Sequence, residues 1–402
     1  MKINKNLFID DIKGFTTWAK HTGVKKRRND LCIVFSKDPC VSAGVFTKNK
    51  IKAHPIIMSM DNIKNEVTHA IVANSGNANA CNGPEGYENC KSIISETANT
   101  LGINEKEILT ASTGIIGLPL DMEKILTGLS SYEYHKSLPL DAAEAICTTD
   151  TFSKHLGMEF EISEKNIKLS CIAKGSGMIH PNMGTMLSFI ATDLNITKEL
   201  LQEALNESVT DSYNMISVDG DTSTNDCVFI LANGNGKNHK IDSKNDEYYA
   251  FLKALNALNK NISKQIAMDG EGATKLIETK VINAPSKSDA RTLAKSVISS
   301  SLVKSAFFGN DANWGRILCA LGYSEGSFNP DKIDISIKSS RGKVDIMKTG
   351  QPTIYSDSLA EAIIDDSKVD ILIDLNSGKE KATSWGCDLS YDYVRINGAY
   401  KV

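Results

Sequence analysis

No two of the nine cysteines form a C-x-x-C pair, and none of the seven histidines stands in an H-E-x-x-H or comparable ligand spacing. A structural metal site is therefore not expected. Nowhere do 18 apolar residues run together, and Met1 is followed by Lys2 and Asn4 rather than by an apolar h-region, so neither membrane insertion nor secretion is expected. The odd number and wide scatter of cysteines suit reduced thiols and a cytoplasmic location. Positive charge is not in excess: 45 Lys and Arg face 49 Asp and Glu, a formal net charge of -4, which gives no basic field for nucleic acid. The run "KKRR", Lys25 to Arg28, lies beside Asp30 and reads as a solvated turn. No period of 20 to 50 residues repeats and no long low-complexity linker divides the chain. A G-x-S-x-G elbow, a Ser-His-Asp order and the G-x-x-x-x-G-K-[ST] phosphate loop are all missing.

What is present is an ordinary globular composition, 41% hydrophobic and 23% charged over 402 residues, long enough for two domains or one large layered body. Short apolar runs at Cys32 to Phe35, His69 to Asn74, Val228 to Asn233 and Val369 to Leu375 read as strands. Helical patterns cover Tyr87 to Leu101, Lys198 to Tyr213, Tyr248 to Asn259 and Ser288 to Val303. The mixture predicts an α/β or α+β fold of layered sheets and helices. Polar, glycine-rich clusters interrupt these elements at Asn74 to Gly83, Ser112 to Gly117, Val218 to Asp226, Asp269 to Lys275 and Phe308 to Arg316. Each singly is a surface turn; five together favour one composite site on a rigid scaffold.

The segment "KGSGMIHPNMGTMLSFIATD", Lys174 to Asp193, passes from loop punctuation to an apolar strand pattern over Thr185 to Thr192. Thr185 thus occupies a loop-to-strand corner. A threonine hydroxyl needs a base before it can act as a nucleophile, and an amino-terminal threonine supplies one in its own α-amino group, whose ordinary pKa is about 7.7 to 8.0. Cleavage before Thr185 would create that state. Gly184, without a Cβ, can hold the strained backbone that brings its carbonyl towards the Thr185 hydroxyl. From these residues alone, Thr185 as an ordinary strand start stays open.

The segment Lys174 to Leu187 resembles the self-cleavage region of the ornithine acetyltransferase (glutamate N-acetyltransferase, ArgJ) family. "AGVFTKNKIKAHP" from Ala43, "ANSGNANACNG" from Ala73, "STGIIG" from Ser112, "TTDT" from Thr148, "VDGDTSTND", "DGEGATK", "NWGRIL" from Asn313 and "YVRINGAY" from Tyr393 stand in that family's order. The resemblance implies an enzyme of arginine biosynthesis, cytoplasmic, with a DmpA/ArgJ-like fold built from two chains after autocleavage. Residues 1–184 would form an α chain and 185–402 a β chain, with a smaller C-terminal subdomain from about residue 280. The implied activity moves acetyl from N2-acetylornithine to glutamate by a ping-pong route, with no cofactor and with acetyl-CoA as a further candidate donor. An (αβ)2 heterotetramer is implied.

By the same resemblance the cut falls between Gly184 and Thr185, Thr185 becomes the acetyl acceptor, and Thr113 with Gly114 supplies the oxyanion donors. Lys174, Glu271, Thr151, Asn397 and the chain end at Val402 match substrate-binding positions; Thr149 competes with Thr151 for its position. Two residues depart from the pattern: Gly184 replaces the more frequent alanine, and Val402 replaces a terminal threonine, so no hydroxyl stands at that place. Two other readings fit fewer of the motifs. One is a self-processing aminopeptidase of the related fold, which acetyl transfer without peptidase activity would exclude. The other is a small-molecule binding protein, which an intact chain on a denaturing gel would favour.

Overall fold

The computed structural model describes residues 1–134, 136–180 and 186–399. In chain order the strands are β1 (Lys2–Asn4), β2 (Phe15–Lys20), β3 (Leu31–Phe46), β4 (Thr68–Asn77), β5 (Ile108–Ile115), β6 (Lys154–Ile162), β7 (Lys165–Lys174) and β8 (Leu187–Thr192). They continue as β9 (Ile216–Ser217), β10 (Cys227–Ala232), β11 (Leu276–Ala284), β12 (Asp334–Ser339), β13 (Gly342–Lys348), β14 (Gln351–Pro352), β15 (Lys368–Asp374) and β16 (Glu380–Cys387). Among the described residues, one sheet runs β1-β6-β7-β8-β10-β3-β4-β5 with β2 also on β3, and a second runs β14-β13-β12-β15-β11-β16-β9. Parallel and antiparallel pairs mix in both sheets. The fold is α+β, as the alternation of apolar runs predicts. Residue 280, the expected start of a C-terminal subdomain, lies inside β11.

Strand β3 ties the first sheet together. Its early residues Leu31 to Phe35 pair with β4, its later residues Val41 to Phe46 pair with β10, and the register breaks between Phe35 and Cys40. That irregularity lets one 16-residue strand serve both halves of the sheet. Strand β10 shows why the centre of the sheet is uniformly apolar. Val228 and Ile230 enter one buried cluster, Cys227, Phe229 and Leu231 the other, so both faces are covered. The helix Asp246–Met268, capped by Asn245 accepting from the Tyr248 amide at 3.0 Å, buries Phe251, Leu255, Leu258, Ile262 and Ile266 on one stripe. It packs against β6 of one sheet and β16 of the other.

The pattern over Ser288 to Val303 forms two helices, Lys287–Ser299 and Ser301–Phe308, rather than one. Ser300 is extended, with φ -71 and ψ 114, and its hydroxyl accepts from the Val303 amide at 3.3 Å. A serine that caps a new helix ends the preceding one. The basic turn is exposed at Lys26, Arg27 and Arg28, as expected, while Lys25 is half-buried. Lys25 Nζ donates to the Cys147 carbonyl at 2.9 Å and Arg28 Nη1 to the Asp150 carbonyl at 3.2 Å, because the turn lies over the Thr148 to Thr151 segment.

For the site, β8 matters most. It lies between β7 and β10, with Lys174 opposite Leu187 on one side and Leu187 opposite Cys227 on the other. The end of β7 and the start of β8 are thereby held side by side.

Candidate functional site

Seven separate segments converge on one cavity of about 170 Å3, lined by Thr113, Gly114, Lys174, Glu271, Asn397 and Asn225 among others. Each side chain is placed by a different local device.

Thr113 and Gly114 end β5 where it runs parallel to β4, with Gly114 opposite Gly76. Gly114 has φ +132, and a Cβ there would stand 2.4 Å from the Gly76 carbonyl carbon and 2.5 Å from the Asn77 nitrogen. Only glycine permits that approach. The asparagine-rich end of β4 and the turn after it hold the neighbouring backbone. Asn74 accepts from Ser112 Oγ at 2.5 Å and donates to the Asn77 carbonyl at 3.0 Å, and Asn77 accepts from the Asn79 amide at 2.8 Å. Asn225, buried, donates to the carbonyls of Ala78 at 2.6 Å and Ser112 at 2.8 Å, which locks the "VDGDTSTND" loop onto both.

Lys174 is the last residue of β7 and is buried; its Nζ donates to Thr113 Oγ1 at 3.4 Å. Glu271, also buried, is fixed through its backbone amide to the Ser176 carbonyl at 3.1 Å, and its Oε2 accepts from Asn397 Nδ2 at 2.8 Å. Gly177 makes room for this carboxylate, since a Cβ there would lie 2.4 Å from Glu271 Oε1. Gly272, at φ +69, brings the loop against the helix Tyr391–Ala399 that carries Asn397, where a Cβ would meet the Tyr393 nitrogen at 2.5 Å.

Thr151 is not among the cavity-lining residues, whereas Thr148 and Thr149 are. The Thr151 hydroxyl bonds to Asp269, which also accepts from the Thr151 amide at 3.1 Å. Asp269 in turn receives Lys154 Nζ at 2.5 Å, and the same ammonium reaches Asp150 Oδ1 at 2.6 Å. Burial pushes the Asp150 carboxyl up, but Lys174 and Lys154 together with the bond from the Gly175 amide outweigh it and hold it at about 2. Sequence reasoning misses this network. Lys154 stands four residues after Asp150, but its second carboxylate is 115 positions away and leaves no local signal.

Gly184, Thr185 and Val402 lie outside the described residues. The cavity lining resumes at Met186 and Leu187, immediately after Thr185 in the chain. Of the five polar clusters, three line the cavity, the asparagine-rich one supports it, and the "FGNDANWGR" cluster does neither; Asn313 there caps the helix Trp314–Gly322 by accepting from the Arg316 amide at 3.1 Å. Among the described residues no group of three His, Cys, Asp or Glu could hold a metal ion, and no helix is long and apolar enough to cross a membrane.

A buried ammonium and a buried carboxylate around one small cavity suit a ligand that carries both charges. Thr113 and Gly114 line the same cavity. The class this defines is a binding site for a small ligand of mixed charge.

The ArgJ family model matches residues 16–402, and the chain belongs to the ArgJ family. It is 51% identical over 404 residues to "Arginine biosynthesis bifunctional protein ArgJ 1" of Clostridium acetobutylicum, covering 100% of this chain and 99% of the relative. It is 48% identical to the ArgJ protein of Caldanaerobacter subterraneus subsp. tengcongensis, covering 97% of each. Among solved structures, the arginine biosynthesis bifunctional protein argJ of Bacillus halodurans matches with a TM-score of 0.51 and 45% identity, over 54% of this chain and 100% of that one.

Proposed function

We propose that this member of the ArgJ family transfers acetyl from N2-acetyl-L-ornithine to L-glutamate in arginine biosynthesis, using Thr185 freed by self-cleavage after Gly184. The observation that carries the reading is the placement of Lys174 and Glu271 around a cavity whose lining continues at Met186 and Leu187. In the first half-reaction the Thr185 α-amino group takes the hydroxyl proton, Oγ1 bonds to the acetyl carbon, and the C–N bond breaks as ornithine leaves with the proton. In the second, the glutamate amine attacks the acetyl ester and Oγ1 departs, recovering its proton. Thr113 and Gly114 stabilise the oxyanion of both steps. Lys174 takes the substrate carboxylate, Glu271 the ammonium, with Asn397, the Thr148 to Thr151 segment and the Val402 end completing the pocket. The chemistry calls on no cofactor.

The α chain would be residues 1–184 and the β chain 185–402, assembled as (αβ)2 in the cytoplasm. Retention of both fragments is supported by β8, which pairs with β7 from before the cut, and by the Lys154–Asp269 ion pair, which also spans it. The deciding experiment incubates purified protein with N2-acetylornithine alone and measures the intact mass of the larger fragment, then repeats it with acetyl-CoA. Gain of one acetyl group that glutamate removes is the expected result; no covalent acetyl from either donor refutes the proposal.

A further inference from the structure

The mechanism leaves unused the buried charge cluster behind the cavity. Asp150 Oδ1 accepts from Lys154 Nζ at 2.6 Å and from the Gly175 amide at 2.7 Å, and its Oδ2 accepts from the Thr148 amide at 3.0 Å. The carboxylate is thus bonded to the residue next to Lys174 in the chain. Asp269 accepts from the same Lys154 at 2.5 Å, and its carbonyl accepts from Ser176 Oγ at 2.6 Å. Ser176 in turn holds the Glu271 amide. Lys154 and Asp150 have side chains with no exposure and Asp269 has 2%.

We infer that Lys154 is a positioning residue: by occupying Asp150 and Asp269 it leaves the Lys174 ammonium free for the ligand carboxylate. Two carboxylates and two ammonium groups share this corner. With Lys154 in place each carboxylate has a counter-charge that is not Lys174, and Lys174 turns to the neutral Thr113 hydroxyl. Without it, the buried Asp150, bonded to the Gly175 amide beside Lys174 in the chain and acted on by the Lys174 charge, draws that ammonium towards itself, since an unpaired buried charge recruits a partner. The depressed Asp150 carboxyl, which feels both lysines, agrees with that competition. The inference rests on the proposed role of Lys174 in binding substrate carboxylate.

The test measures KM and kcat for acetyl transfer in K174M, K154M, K154M/D150N and K154Q, with fragment formation and native gel filtration on each. K174M should raise KM for both N2-acetylornithine and glutamate; if it does not, the reading of Lys174 itself fails. With that established, K154M should raise both KM values by about ten- to 150-fold, the loss of one charge-assisted bond, with kcat changed less. Adding D150N removes the competing charge and keeps an acceptor for the Gly175 amide while giving up the Thr148 bond, so the double variant should recover most of the KM. K154Q, which keeps donors without charge, should behave as K154M does and decides the matter where K154M does not fold. Unchanged KM in folded K154M or K154Q, or a double variant no better than K154M, overturns the inference.

Discussion

Substitution of Glu271 by glutamine separates shape from charge at the cavity. Glutamine is nearly isosteric, so the space left by Gly177 still accommodates it and its amide oxygen can still accept from Asn397, now at 2.8 Å from Oε2. Among the described residues the carboxylate meets that amide and no cation. The charge is therefore available to a ligand. A hydrogen bond to a charged group contributes about 1.5 to 3 kcal/mol, which sets the expected loss in kcat/KM for N2-acetylornithine at roughly ten- to 150-fold.

The assay compares wild type and E271Q on N2-acetylornithine and on N2-acetylnorvaline, which has the same acylated α-amine but no side-chain ammonium. Glu271 should discriminate between them only in the wild type, so the loss should appear with the ornithine compound and vanish with the norvaline one. Self-cleavage precedes substrate binding and should proceed at the wild-type rate. An unchanged kcat/KM for N2-acetylornithine, or an equal loss on both compounds, refutes the electrostatic role.

Three further outcomes are expected. Purified protein should give fragments of about 20 and 24 kDa, in proportion to residue number from the 43.7 kDa chain, the larger beginning Thr-Met-Leu-Ser by Edman sequencing, whereas T185A stays intact and inactive; a processed, active T185A removes the nucleophile. G114A forces a Cβ into the β4 backbone at a positive φ, costing at least about 2 kcal/mol, so a wild-type urea midpoint would contradict the close approach to Gly76. His180 is held at about 4, below its ordinary 6.5, by burial and then by Lys295. Between pH 6.5 and 4 the unfolded chain binds a proton that the folded chain refuses, so stability falls as pH falls through that window and H180Q should flatten this part of the urea-derived profile; an unaltered slope counts against the buried imidazole.

Legibility in the sequence followed the range of each interaction. The strands at Cys32, His69 and Val228 were readable because burial on both faces demands unbroken apolar runs, and the one at Val369 because Val369, Ile371 and Ile373 alternate on one buried face. Thr113, Gly114, Lys174, Glu271 and Asn397 carry no shared local pattern; it was the ordered motifs that grouped them, and the geometry then brings all five to one cavity. That Thr149 rather than Thr151 lines the cavity could not be read from "TTDT", since Asp269, far along the chain, engages the Thr151 hydroxyl. The helix break at Ser300 was hidden for the opposite reason: apolar periodicity continues across it, while a single capping hydroxyl decides the backbone.

Topology also orders the proposed events. Lys174 meets Leu187 only once β8 has entered between β7 and β10, and the Lys154–Asp269 pair closes only when the loop before β11 has docked behind them. The first joins residues 13 positions apart and the second residues 115 apart, so the second carries the larger loop-closure cost. A cut after Gly184 in an unfolded chain would turn each of them into an encounter between two molecules. Under the proposed function, a cut made after folding would leave the two fragments joined through β7 and β8, already paired in one sheet. The proposed self-cleavage would therefore follow assembly of the sheet, and the strand pairing that aligns the site would also keep the fragments together.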